Sequence, residues 1–446
     1  MSTAAPLHVE PVPPPEPAAT PAVPPEPAPW PLAARIAFRF TCVLVLLTCF
    51  PYPLDNIPGG YTVIAEVNSF WSTVVPWLVL HTTGFEVTEP PLITGSGDTQ
   101  LEFVKAGFFL LLSVVATLVW SILDARRPRY PRAHHFLRVY VRYVLAGAML
   151  GYGFVKLFPS QFPPIGEERL AQPLGEFSPM GLLWTFMGYS LGYNILTGGA
   201  EVLGGLLMFF RRTTTLGALV LVGVLTNVVA LNFFYDVPVK LYSLRLLLLA
   251  VFLLAPDLRR LVDVLVLNRA TRPAEIQRPF HLPRRVTWGL LAAKLVLVGH
   301  FIYGNAIQGW GSYQRFQSSG PPPALMGIYD VEGFHRGGQE LDGGERWRRF
   351  SISPYGHVQI RTAGNSRTRF SLVESAENKT LTLTELWVAE PKQLTLTFEK
   401  PDPTHLVLRG DQEGAPIEVH LRKVDTSNSL LLNRGFHWVQ EQPFNR

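Results

Sequence analysis

Apolar residues fill seven long stretches of this chain, at 33–54, 103–123, 139–158, 193–210, 215–234, 239–256 and 286–307. A helix needs roughly 20 residues to cross a bilayer, and each stretch approaches that length. Lipid offers backbone N–H and C=O groups no partners, so every such span must be helical. The fourth and sixth are short, and the fourth has room to begin inside 182–192. Beyond residue 326 the pattern changes to a period of two. Apolar and polar positions alternate through 327–332, 346–352, 356–362, 367–373, 379–386, 393–399, 404–409 and 416–424. In Ile417-Glu418-Val419-His420-Leu421-Arg422 the apolar side chains all point one way and the polar ones the other. Hairpin-length separators, such as Gly364-Asn365 and Glu377-Asn378, join these runs.

Eight short strands in order predict an all-β, up-and-down, lipocalin-like barrel over 326–446. The fold class is therefore an α-helical polytopic membrane bundle over 33–307 followed by a C-terminal β-barrel. Between them, 308–325 holds Gly309, Gly311, Gly320 and Pro321 to Pro323 and reads as a linker. Residues 1–32 are rich in Pro, Ala and Glu without apolar periodicity, which predicts a disordered leader.

Two long connections carry more than loop. Residues 68–81 place Phe70, Trp71, Val74, Trp77 and Leu78 on an amphipathic helix expected to lie in the interface, with Trp71 and Trp77 at headgroup level. Gly95 to Thr99 then predicts a turn and cap before the second span. A phosphate loop is excluded there, because no Lys-Ser/Thr ending follows.

Charge gives the bundle a direction. Arg126, Arg127, Arg129, Arg132 and Arg138 follow the second span, Arg211 and Arg212 the fourth, and Arg259 through Arg285 the sixth. The 55–102 connection has no Lys or Arg, and 159–192 has only Arg169. These classes alternate as seven spans require, which predicts a cytoplasmic leader and an extracytoplasmic barrel. The chain is 48% hydrophobic and 16% charged, with mean hydropathy +0.18, as expected of a membrane part joined to a water-soluble part. Its net charge of +5 comes largely from these arginine runs, so topology accounts for it and nucleic-acid binding is not expected. The two cysteines, Cys42 and Cys49, share one apolar segment without metal-ligand spacing, so no metal site is expected.

Ionisable residues inside spans are costly and mark candidate sites. Lys156, near the end of the third span, and Glu201, among the glycines of the fourth, are expected to pair across a close helix contact. They either orient two helices or form the floor of a polar pocket. Asn227 and Arg245 are expected to face the bundle interior beside them, while Arg142 reads as a snorkelling anchor. No two histidines lie at the depth a bis-histidine haem needs, so any redox role falls to a quinone or to a partner's cofactor. In the β-domain, Arg346 and Trp347 with Arg434, His437 and Trp438 form a candidate surface, unless the aromatic tail plugs the barrel.

The membrane part resembles the DoxX family of bacterial integral membrane proteins. The resemblance rests on Arg142, Gly153 and Lys156, on Glu201 with Gly204 and Gly205, and on the turn Arg211-Arg212-Thr213-Thr214-Thr215. It covers 138–260, the family's four-helix core; three further spans and the β-domain depart from the compact form. It implies an inner-membrane location and, from some relatives, a membrane subunit of a quinone- or lipid-linked redox system. The alternative is an envelope scaffold or ligand-binding protein acting through its β-domain on a periplasmic partner.

Overall fold

The computed structural model describes residues 28–54, 59–88, 95–271, 283–317, 323–388 and 390–445. Most of the Pro-rich leader and residues 318–322 of the expected linker lie outside the described residues.

The helical part runs α1 (Leu32–Cys49), α2 (Gly60–Thr83), α3 (Gln100–Leu123), α4 (Pro131–Leu157), α5 (Glu167–Leu170), α6 (Pro179–Tyr189), α7 (Leu191–Met208), α8 (Thr214–Phe234), α9 (Lys240–Leu254), α10 (Leu258–Leu265) and α11 (Arg284–Gln317). Among the described residues six helical segments are long and apolar enough to cross a membrane: α1, α2, α3, α8 with the turn before it, α9 through α10, and α11. The chain is a multi-pass membrane protein. The third and fourth expected spans form α4 and α7, which carry the buried Arg142, Lys156 and Glu201 and pack against each other inside the bundle. Around them Leu145, Leu150, Met208, Leu221, Leu249 and Phe301 form one continuous apolar core.

Local sequence sets the helix ends. The Thr99 hydroxyl accepts the Glu102 N–H and starts α3 at the expected cap. Ser178 and Ser190 do the same for α6 and α7, so the fourth span begins at Leu191, inside 182–192 as expected, and a separate short helix precedes it. Asp98 caps at a distance: its carboxylate accepts the Lys240 and Leu241 N–H groups that open α9. The segment expected at 68–81 belongs to the longer helix α2, bounded by left-handed Gly59 and Gly84. Trp71 does not sit at a boundary; it packs edge-on against Phe109, 4.9 Å away and well inside α3. The linker also starts later than expected, because the apolar Trp310 and Tyr313 keep α11 helical to Gln317.

The second part is a closed antiparallel meander. Strands β1 (Gly327–Arg336), β2 (Gln339–Glu340), β3 (Trp347–Ile352), β4 (His357–Thr362), β5 (Arg367–Ser375), β6 (Thr380–Glu385), β7 (Gln393–Glu399), β8 (His405–Gln412) and β9 (Ala415–Lys423) pair with their neighbours, and β9 closes on β1. The two-residue β2 is an appendage of β1, so the barrel has eight strands, as the alternation predicts. Phe350, Leu381, Leu383, Leu396, Leu408 and Val419 fill it completely buried. Its β3–β5 wall rests on the α4–α7 connection, where Arg348 meets Glu176 and Arg369 meets Glu168. The tail does not plug the barrel. Beyond the short helix α12 (Leu430–Asn433), Phe436 and Trp438 are 77% and 92% exposed.

Candidate functional site

The α4–α7 seam is built from glycine. A Cβ on Gly198 would lie 2.7 Å from the Gly153 carbonyl oxygen, and one on Gly153 would lie 2.8 Å from the Gly198 oxygen. Only bare backbone permits that approach. It brings Lys156 Nζ within 2.7 Å of both Glu201 carboxylate oxygens, with the side chains 9% and 3% exposed. The Tyr152 ring lies 5.7 Å from the ammonium. Each charge thus has its partner, and neither faces open water.

Of the other residues expected near this pair, Arg245 reaches it through the Tyr242 and Tyr152 rings, 5.8 Å apart, and Asn227 does not. Arg245 is half-buried; it donates to the Thr48 carbonyl at 2.6 Å and stacks over Tyr242, so it faces α1. Asn227 is exposed on the outer face of α8, contrary to its expected inward placement. The inward polar position five residues on is Asn232, 6% exposed. Arg142 is no snorkelling anchor: it is buried and its Nε donates to the Met208 carbonyl that ends α7.

Sequence reasoning passed over Arg39. It is 1% exposed in α1 and donates to the Tyr130 hydroxyl, to Ser121 Oγ and to the Asp124 carbonyl. The Tyr130 hydroxyl donates onward to Asp124 Oδ2 at 2.9 Å. An arginine inside a predicted span was the available signal.

In the barrel, Trp347 is 3% exposed and stacks on Phe350 inside, while Arg346 donates to the Glu332 carbonyl. Arg434 holds Gln440 and lies over the Phe444 ring, and His437 and Trp438 are exposed. These five do not form one surface, because the β3 bulge at Trp347–Arg349 turns Trp347 inward. Trp347 instead floors a cavity of ≈ 280 Å³ at one mouth of the barrel, together with Phe334, Ile360, Phe370 and Leu394. Its rim carries Arg336, 3.5 Å from Glu413, which Lys392 in turn holds below the usual carboxylate range. The opposite mouth is shut by Leu325, whose carbonyl accepts from the Tyr329 hydroxyl; burial pushes that phenol up to about 12.

No family model matches the chain, and no solved structure matches it. It is similar to the uncharacterized protein YwoB of Bacillus subtilis, with 31% identity over 123 residues. The match takes in 28% of this chain and 78% of the relative. At that identity and coverage the chain belongs to the same family as YwoB.

Proposed function

We propose that this is a bacterial inner-membrane protein whose bundle anchors a ligand-binding barrel on the extracytoplasmic side. The carrying observation is the barrel mouth: an apolar floor at Trp347, Phe370 and Leu394 beneath a rim charged by Arg336 and Glu413, enclosing ≈ 280 Å³. An eight-stranded barrel is just wide enough to be filled by side chains or to hold one small ligand. Here one end is filled and the other is open. The space equals about nine waters of liquid, which suits a short acyl chain or a ring with one polar end.

Quenching of Trp347 tests this reading. In nanodiscs, a short brominated carboxylic acid should quench a fraction of the fluorescence that disappears in Trp347→Phe. Leu394→Trp, which fills the cavity, should block binding of the unbrominated acid. Equal quenching in the wild type and Trp347→Phe would refute the mouth as the site.

A second reading keeps the DoxX resemblance in front: a quinone- or lipid-linked redox subunit with its site at Lys156 and Glu201. The buried pair in a glycine-lined seam supports it. It requires quinone in organic extracts of the purified protein, lost in Lys156→Met.

A further inference from the structure

The wall of the barrel that rests on the bundle is unusually charged. On β3, β4 and β5 the register puts Arg349 opposite Arg361 and Arg361 opposite Arg367. Like charges directly opposite on neighbouring strands are destabilising, so a row of three demands anions. Arg348 and Arg369 flank the row on the same wall, and Arg169 approaches from the α4–α7 connection. The Arg169 guanidinium is pushed down by burial first, then by Arg367 and Arg369, against the pull of Glu168.

The carboxylates in reach are fewer. Glu176 is shared: it pairs with Arg361 and lies 3.4 Å from Arg348, while its backbone carbonyl accepts from Arg367. Arg369 reaches Glu168 at 3.3 Å, and Arg349 reaches Asp330 at 2.8 Å. Among the described side chains, six guanidinium groups therefore face three carboxylates. Arg348 and Arg369 keep side chains 50% and 41% exposed, and Arg367 is also exposed, so part of the surplus is accessible.

The neighbourhood says which anion. Glu176 lies two residues before Ser178, the cap of α6, and α6 exposes Leu182, Phe186 and Tyr189 at 41%, 59% and 51%. Leu174, on the other side of Glu176, is 74% exposed. So much apolar surface on one connection belongs in the bilayer rather than in water. A bilayer covering that apolar surface would set the arginine row at the level of lipid phosphates.

We propose that this arginine row binds the phosphate groups of anionic phospholipids in the leaflet next to the α4–α7 connection, so that lipid completes the contact between barrel and bundle. Guanidinium forks match phosphate oxygens two at a time. Arg348 and Arg367, two of the three accessible members, each have donor N–H groups beyond the one bonded to Glu176.

The test uses the full chain, delipidated in detergent, and counts retained lipid by native mass spectrometry after adding phosphatidylglycerol, phosphatidylcholine or inorganic phosphate. The wild type should retain phosphatidylglycerol in preference to phosphatidylcholine, and unfolding should shift to higher temperature with it. Arg348→Ala with Arg367→Ala should weaken retention by about tenfold or more, as losing charge-assisted hydrogen bonds implies. Arg409→Ala, on the far barrel wall, controls for loss of any arginine and should retain lipid. Equal retention in the double variant, no preference over phosphatidylcholine, or a full shift with inorganic phosphate alone would each overturn the assignment.

Discussion

Replacing Lys156 by Met leaves the Glu201 carboxylate, 3% exposed, without its counter-charge in the α4–α7 seam. Both oxygens lose a 2.7 Å bond, and among the described residues no other donor bonds them. Breaking one side of a buried pair costs about 3–5 kcal/mol. For a cooperative unit of this size, each kcal/mol moves the unfolding midpoint by roughly 2–4 °C, so the single variant should unfold about 6–20 °C early. Replacing both charges by apolar residues of similar volume is often neutral, so Lys156→Met with Glu201→Leu should return close to the wild type. Thermal unfolding of the detergent-solubilised full chain, followed at the helical circular-dichroism band, separates the bundle from the barrel. Additive losses in the double variant would refute the reasoning. So would a single-variant loss below about 1 kcal/mol, the range of solvated pairs.

Two other outcomes follow from the geometry. Gly198→Ala puts a methyl group 2.7 Å from the Gly153 carbonyl oxygen and should destabilise the bundle by about 1–3 kcal/mol in the same melt, whereas Gly199→Ala meets nothing within 4 Å and should not. In the barrel, Asp402 is held well below its ordinary 3.8 by the Thr404 hydroxyl, the Thr404 N–H and His405, and Glu418 is held below 4.5 by Arg409. Depressed carboxylates stabilise above their unfolded values and lose that stabilisation as pH falls through the folded ones. The barrel should therefore melt progressively earlier from about pH 5 downwards, with a shallower slope in Asp402→Asn; a flat profile would contradict the assignment.

What the sequence made legible follows from which patterns carry unambiguous periods. The eight strand runs were readable because Ile417, Val419 and Leu421 have one geometric solution, all on one face, and they line the interior as expected. The Lys156–Glu201 pair was readable because two opposite charges in apolar glycine-bearing segments have few other options. Asn227 misled because period 3.6 fixes its position relative to neighbours but not which neighbours cover that face; Asn232, five residues on, took the inward position. Trp347 misled for a related reason. A bulge between it and Arg349 reverses the parity of β3, and a strictly alternating pattern cannot show an extra residue. Arg39 had the clearest signal of all, but its partners Ser121, Asp124 and Tyr130 lie at least 82 positions away. The inter-part arginine row was invisible for the same reason, since its members become neighbours only through strand register.

Because β9 closes on β1, the order of synthesis constrains how the barrel is made. Tyr329 finds Lys423 only after nearly the whole β-rich part has emerged, and every nascent chain that stops short of β9 carries an unpaired β1 edge. The helices before it can insert one after another, but the barrel has no stable half. Stop codons before Ala415, which remove β9, should leave an open sheet that aggregates or is degraded, while loss of residues beyond Val424 should leave the ladder complete. The last strand acts as a completion check, exposing sticky backbone to quality control until β9 has emerged.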